Sequence, residues 1–437
     1  MATAARTQVA IIGGGPAGLL LSHILHRNGV DSIVLERQSR AHVLGRIRAG
    51  VLEAGTVALL REVGLGARMD REGHPHDGSA IAWEGRPRFF IDTQKFTGKR
   101  MMAYGQTAIT EDLYAARDTA GGEVIDEADK VQLHALTSRR PRVTYTKEAA
   151  SRRIDCDYVA GCDGFHGVSR ASIPASVLKT YEKSYPFGWL GVLSETPPYP
   201  DLCYCYHSRG FALASMRTPR LSRYYIQCDL DAKLEDWPDE RFWQEFKARC
   251  PPEMAERIVT GPSIEKSIAP LRSFVAEPMQ YGTLFLAGDA AHIVPPTGAK
   301  GLNLAVSDVF YLSCALIESC RSGKTLPRAL FRHGAAPRVG VRPRILVADD
   351  AAAPLPGRNA VRGTDAIRPV RLSARFRACP GVAGGAICRS AVRGVTDFAA
   401  AESRLGSQAL LTSPDRSACR IPIERFSWSA IPRATRC

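Results

Sequence analysis

Residues 8–12 form an apolar, β-branched run that suits a strand buried on both faces, and the run enters Gly13-x-Gly15-x-x-Gly18 without a break. Leu19, Leu20, Leu21, Ile24 and Leu25 then keep to the apolar side of a helix; Pro16 sits where a first turn tolerates it, and Asn28-Gly29 closes the element. A second apolar run, 31–35, predicts a strand that delivers Glu36. Runs at 157–162 and 283–287 repeat the form, leading into Asp163-Gly164 and into Gly288-Asp289-Ala290-Ala291-His292, small residues expected to open helices. Residues 211–215 and 224–229 read as core strands of a sheet. Together these patterns predict an α/β fold with a parallel, Rossmann-like sheet.

Strand, glycines, helix, second strand and terminal acid, in that order, point to a bound dinucleotide. The first glycine permits the tight turn, the second lets the backbone approach a pyrophosphate, and the third lets the helix pack close to the strand. Glu36 lies eighteen residues past Gly18, where a carboxylate accepts from a ribose 2′-hydroxyl. This spacing does not separate NAD from FAD. Asp163 and Asp289 would present carboxylates to a ribitol hydroxyl, with helix-terminal N–H groups nearby for a phosphate or flavin oxygen. Either aspartate taken alone is also an ordinary helix N-cap.

Charge alters the picture at one end only. A net charge of +14 over 437 residues ordinarily suggests a polyanionic partner. Beyond residue 332, however, lie 17 Arg, no Lys and 7 acidic residues, so that stretch holds +10 of the excess and leaves +4 on 1–332. The aromatic interleaving that base stacking needs is missing there, and no nucleic-acid partner is expected. Periodic patterning also stops: the last lysine is Lys324, the last tyrosine Tyr311, and Arg, Ala, Pro, Gly and Ser dominate. GC-rich DNA translated out of frame gives this bias, which predicts a frameshift near 331–335. An Arg-rich disordered tail is the alternative.

The twelve cysteines lack paired CxxC spacing and His partners at metal-ligand distances, so reduced thiols and no metal are expected. Cys203 and Cys205 should share one strand face. No run approaches the ~20 apolar residues of a membrane span. The 9–21 run is broken by Gly13, Gly14, Gly15 and Pro16, which argues against a secretory signal. A cytoplasmic protein without a membrane partner, built from two intimately packed domains, is the expectation.

More specific blocks follow the fingerprint. They are Leu44-Gly45-Arg46-Ile47-Arg48-Ala49-Gly50, Tyr104-Gly105-Gln106-Thr107, residues 155–167, Tyr185-Pro186-Phe187-Gly188-Trp189, Arg209-Gly210-Phe211-Ala212-Leu213, Ser222-Arg223-Tyr224-Tyr225, residues 266–274, and residues 286–305. Over 5–332 the sequence resembles the flavoprotein aromatic hydroxylases, most closely those acting on 4-hydroxybenzoate. The resemblance implies an FAD-binding domain at 1–179, returning at 276–332, with an inserted α+β substrate domain at 180–275 and an anomalous tail at 333–437. It assigns FAD to Gly13, Gly15, Gly18, Glu36, Arg48, Gln106 and Asp289. It puts Arg223 against the flavin, and Lys300 and Asn303 near its ring system.

By the same resemblance, Ser215, Arg217 and Tyr225 bind an aromatic carboxylate, with Tyr204 beside the phenol oxygen and the Pro296 carbonyl facing it. Arg46, Arg48, His166 and Arg272 are candidates for NADPH or NADH. His42 stands where the family often has tyrosine, which leaves the coenzyme undecided. An arginine suits a planar carboxylate because its fork binds both oxygens. Taken alone, Arg217 is more often a solvated arginine and His166 more often a turn residue, while Tyr204 reads as readily as a half-buried strand tyrosine. O₂ and NAD(P)H are the implied co-substrates, and a homodimer the implied assembly. The family has a second tyrosine beyond 332 that relays the phenol proton; none follows Tyr311 here. Hydroxylation of another phenolic acid, or an inactive FAD-binding remnant, are the competing functions.

Overall fold

The computed structural model describes residues 4–46 and 50–323. The frameshift expected near 331–335, the missing second tyrosine and the Arg48 assignment lie outside the described residues.

Val9–Ile12, Ser32–Leu35, Tyr158–Gly161 and Leu284–Leu286 are parallel neighbours in one sheet, as the runs predict. Val124–Ile125 extends it in parallel at one edge, and Gln280–Tyr281 closes the other as an antiparallel hairpin. Val9–Ile12 is buried at every position, as a central strand covered on both faces must be. The helix Pro16–Arg27 packs against Gln106–Thr119 and Lys300–Ser322, and all three join the strands in one core. By length and composition Lys300–Ser322 is apolar enough to cross a membrane, yet 72% of its most apolar stretch is buried within the protein.

A second sheet has eight strands, in the order His292–Ile293, Ser263–Glu277, Lys179–Ser194, Leu221–Cys228, Gly210–Thr218, Leu202–His207, Gly78–Trp83, Phe89–Asp92. Its alternating residues divide cleanly between two faces. Ala80, Ala82, Leu190, Val192, Cys203, Cys205, Ala212, Ala214, Tyr224 and Ile226 point to one side. There they meet Phe242, Trp243 and Phe246 of the helix Asp239–Ala248. The shared face expected for Cys203 and Cys205 is found, with their Sγ atoms 3.8 Å apart. All eight described cysteines are free thiols.

One expectation changes. The residues after Ala287 do not open a helix: Gly288–Ala290 is a single 3₁₀ turn, His292–Ile293 is a short strand, and the long helix begins at Lys300. Pro295 and Pro296 explain the delay, since each removes a backbone donor and holds its predecessor extended.

Candidate active site

The glycine turn is shaped by three different needs. Gly13 has φ +106°, a region that residues with a side chain rarely adopt, and a Cβ there would strike the Cys162 carbonyl. A Cβ on Gly18 would strike the carbonyl of Gly13. Gly15 differs, because a Cβ built on it meets nothing within 4 Å. It is also the N-cap of Pro16–Arg27, which receives no side-chain cap. The helix's first N–H groups therefore open onto free space beside Gly15, a cradle that fits the pyrophosphate of a dinucleotide.

Glu36 is already oriented. Its Oε2 accepts from Gly14 N at 2.7 Å and its Oε1 from Gln38 N at 2.8 Å. Gln106 begins the helix Gln106–Thr119, also without a side-chain cap, and Thr107 Oγ1 donates to the carbonyl of exposed Arg46 at 3.4 Å. Asp289 is exposed on the Gly288–Ala290 turn. Asp308, fully buried, holds that turn from beneath: its Oδ2 accepts from Gly288 N at 2.8 Å and lies 2.7 Å from His292 Nε2. Arg170 binds the turn from the other side, donating to Ala290 O at 3.0 Å while its guanidinium rests over Phe165 and Phe274. Exposed His166 meets Phe165 edge-on at 5.0 Å, and Arg272 lies 4.7 Å over the same ring, so these two of the four nicotinamide candidates share one aromatic platform. Asp163 is not the N-cap of Val168–Ala171, a place taken by Gly167, although its Oδ2 accepts from Ser169 N at 2.9 Å in that helix's first turn.

On the second sheet, cross-strand register lines up the substrate candidates on the face turned away from Asp239–Ala248. One row runs Ser267, Gly191, Tyr225, Leu213, Tyr204 across five adjacent strands. The next runs Glu265, Leu193, Arg223, Ser215. Gly191 makes room: a Cβ there would sit 2.8 Å from the Tyr225 ring and 3.2 Å from Arg223. Arg223 Nε donates to Tyr225 OH at 3.1 Å, and its Nη1 pairs with Glu265 Oε1 at 3.2 Å. Arg217 lies two residues beyond Ser215, at a register irregularity, with Nε buried and donating to no described residue. Burial holds this guanidinium below its ordinary range; the Tyr225 hydroxyl opposes that shift and the neighbouring Arg223 charge adds to it.

The loop before the long helix closes over these rows. Tyr204 OH donates to Thr297 O at 2.7 Å, and burial pushes the phenol above its usual range. The Pro296 carbonyl accepts from Ala299 N at 3.0 Å within its own turn. Lys300 is ion-paired with Glu53. Asn303 ties the helix start to the neighbouring segment. Its Oδ1 accepts from Glu53 N at 2.9 Å and Thr56 Oγ1 at 2.7 Å, while Nδ2 donates to Val51 O at 3.0 Å and Ala299 O at 2.7 Å. Sequence reasoning missed Glu265, Arg170, Asp308 and Thr297 as parts of this arrangement. Thr297 was adjacent to a named residue, whereas the others depend on pairings that only the fold reveals.

A glycine cradle open to a pyrophosphate and a sheet face bearing buried arginines are features that a flavin-dependent monooxygenase requires. The chain belongs to that family, the FAD binding domain family matching residues 6–327. It is 53% identical over 320 residues to p-hydroxybenzoate hydroxylase of Acinetobacter baylyi, covering 73% of this chain and 79% of that one. Rifampicin monooxygenase of Streptomyces venezuelae is 28% identical over 316 residues, 70% of this chain and 63% of that one. The crystal structure of a p-nitrophenol 4-monooxygenase from Pseudomonas putida superposes with a TM-score of 0.66 at 19% identity, covering 80% and 90% of the two chains. The protein is accordingly an FAD-dependent aromatic hydroxylase.

Proposed function

We propose that the enzyme hydroxylates 4-hydroxybenzoate ortho to its phenol oxygen. One atom of O₂ enters the ring to give 3,4-dihydroxybenzoate, the other leaves as water, and NAD(P)H is the two-electron donor, in the cytoplasm. FAD, when bound, supplies the redox chemistry that activates oxygen. Gly13, Gly15, Gly18, Glu36, Gln106 and Asp289 are the residues that would hold it.

The observation that carries the substrate reading is Arg217. A guanidinium held in partial burial, with no carboxylate of the described residues in ion-pair range, calls for an anion from outside. Ser215 and Tyr225 flank it with hydroxyl groups, and the aromatic layer of Trp189, Phe211 and Tyr225 suits a flat ring. At the far end of that face, the Tyr204 hydroxyl donates to the Thr297 carbonyl, which leaves its oxygen lone pairs free to accept a hydrogen bond from the substrate phenol. A free phenol with a pKa of about 10 is neutral at pH 7, so residues that favour its ionised form raise the ring's electron density where oxygen is added.

The test is direct. The full chain, purified with FAD, should show a flavin visible spectrum, oxidise NAD(P)H faster when 4-hydroxybenzoate is added, and release 3,4-dihydroxybenzoate. Stimulation by 3-hydroxybenzoate alone would replace the substrate. Bound flavin with peroxide as the only oxygen product would count against hydroxylation.

A further inference from the structure

The two rows of the second sheet bring together an unequal set of charges. Arg217 and Arg223 both lie on this face, and Glu265 is the carboxylate that the same rows supply. Its Oε1 is 3.2 Å from Arg223 Nη1, while its Oε2 is buried and accepts no hydrogen bond from the described residues. Other ions nearby are neutralised elsewhere: Lys266 pairs with Asp239 at 2.6 Å on the opposite side of the strand, and Lys300 pairs with Glu53. The phenols packed on this face are Tyr204, Tyr206, Tyr225 and, on Lys179–Ser194, Tyr185; of the other ionisable groups on these strands, Arg272 lies 3.9 Å from Glu182 and His207 pairs with Glu84. Two guanidiniums against one carboxylate leave a single positive charge.

We propose that Glu265 is a specificity-determining residue that sets the charge of the ligand this face accepts, cancelling Arg223 so that the site is matched to a singly charged aromatic acid. This deepens the substrate reading above and rests on it. In such a site a coulombic partner acts strongly because the surroundings are poorly solvated. Removing the Glu265 charge leaves two uncompensated guanidiniums, and the ligand can answer by losing its phenol proton and binding as a dianion. Mono- and dianion of 4-hydroxybenzoate differ by one proton and have the same shape, so the comparison isolates charge from fit.

The experiment titrates 4-hydroxybenzoate bound to the full chain with FAD, reading the phenolate band in the ultraviolet as pH is varied. E265Q should keep an oxygen acceptor near Arg223 and lower the midpoint of bound-phenol ionisation by about one pH unit, a tenfold change in the phenolate-to-phenol ratio. E265D, which keeps the charge, should return the midpoint towards that of the parent protein. If E265Q binds the ligand with an unmoved midpoint, or if E265D shifts it as far as E265Q does, Glu265 has only a packing role and the proposal is wrong. If the parent protein itself binds no 4-hydroxybenzoate, the substrate reading fails first and the proposal falls with it. Flavin content and melting temperature of each variant distinguish these outcomes from misfolding.

Discussion

A methyl group added at Gly15 would enter open space, whereas one at Gly18 would collide with the carbonyl of Gly13. The same substitution should therefore have opposite signatures at two glycines three residues apart. Gly15→Ala is expected to leave the melting temperature of the flavin-free protein within about a degree while weakening FAD at least tenfold, because its Cβ occupies the approach to the pyrophosphate. Gly18→Ala is expected to cost about 1–3 kcal/mol of stability through overpacking, read in denaturant, whether or not FAD is present. Equal loss of stability at both would show that the cradle serves the fold alone. Arg217 permits a similar separation. Arg217→Lys keeps the charge but loses the planar fork, and should weaken 4-hydroxybenzoate by about 2–5 kcal/mol, followed by quenching of flavin fluorescence. An unchanged dissociation constant would remove Arg217 from the carboxylate subsite.

Among elements, the Gly288–Ala290 turn depends most on a partner remote in sequence. Asp308 is fully buried and its Oδ2 serves both the turn and His292, so Asp308→Ala should lower stability by about 3 kcal/mol and loosen FAD, with Asp308→Asn closer to the parent because it still accepts from Gly288 N–H. Denaturant unfolding with an FAD titration checks both; a silent alanine variant would show that the backbone holds the turn unaided. Such coupling marks the boundary of what the sequence discloses. Val9–Ile12, the glycine turn and Glu36 were legible because each is announced by local period or conformation. The alternation of 211–215 and 224–229 was legible as strand. That Glu265 stands in a row with Arg223 was not, since register across Lys179–Ser194 and Leu221–Cys228 is a property of pairing and not of either strand. The helix expected after Gly288 was misjudged because small residues favour both a helix start and a tight turn, and the deciding signal, Pro295-Pro296, lies several residues on.

Across the whole molecule, acid should act through imidazoles that the fold keeps neutral. His23, on Pro16–Arg27, contacts the Val63 carbonyl at 2.9 Å, and burial is the main cause that lowers its pKa below the ordinary 6.5. The charges of Arg27, Arg117 and His26 add to the shift, and the Val63 contact opposes it. His76, on a strand of the separate sheet His74–His76, Met101–Ala103 and Val51–Leu52, is lowered chiefly by burial as well, with His74 adding and Asp201 and Asp77 opposing. His23 lies on the helix that follows the flavin cradle. In each case the unfolded chain takes up a proton near pH 6.5 that the folded chain refuses, so the unfolded state binds more protons and stability rises with pH. The stabilisation is complete above about pH 6.5 and is lost as pH falls below it, until each folded-state pKa is reached. Urea unfolding should thus give a constant free energy from pH 8 to 7 and a falling one between 6.5 and 5.5, before the carboxylates contribute. His23→Gln, which can still donate to Val63 O, should flatten that slope together with His76→Gln. A free energy that rose on acidification over this window would mean that the two rings are charged in the folded protein and that their burial is offset by partners other than those seen here.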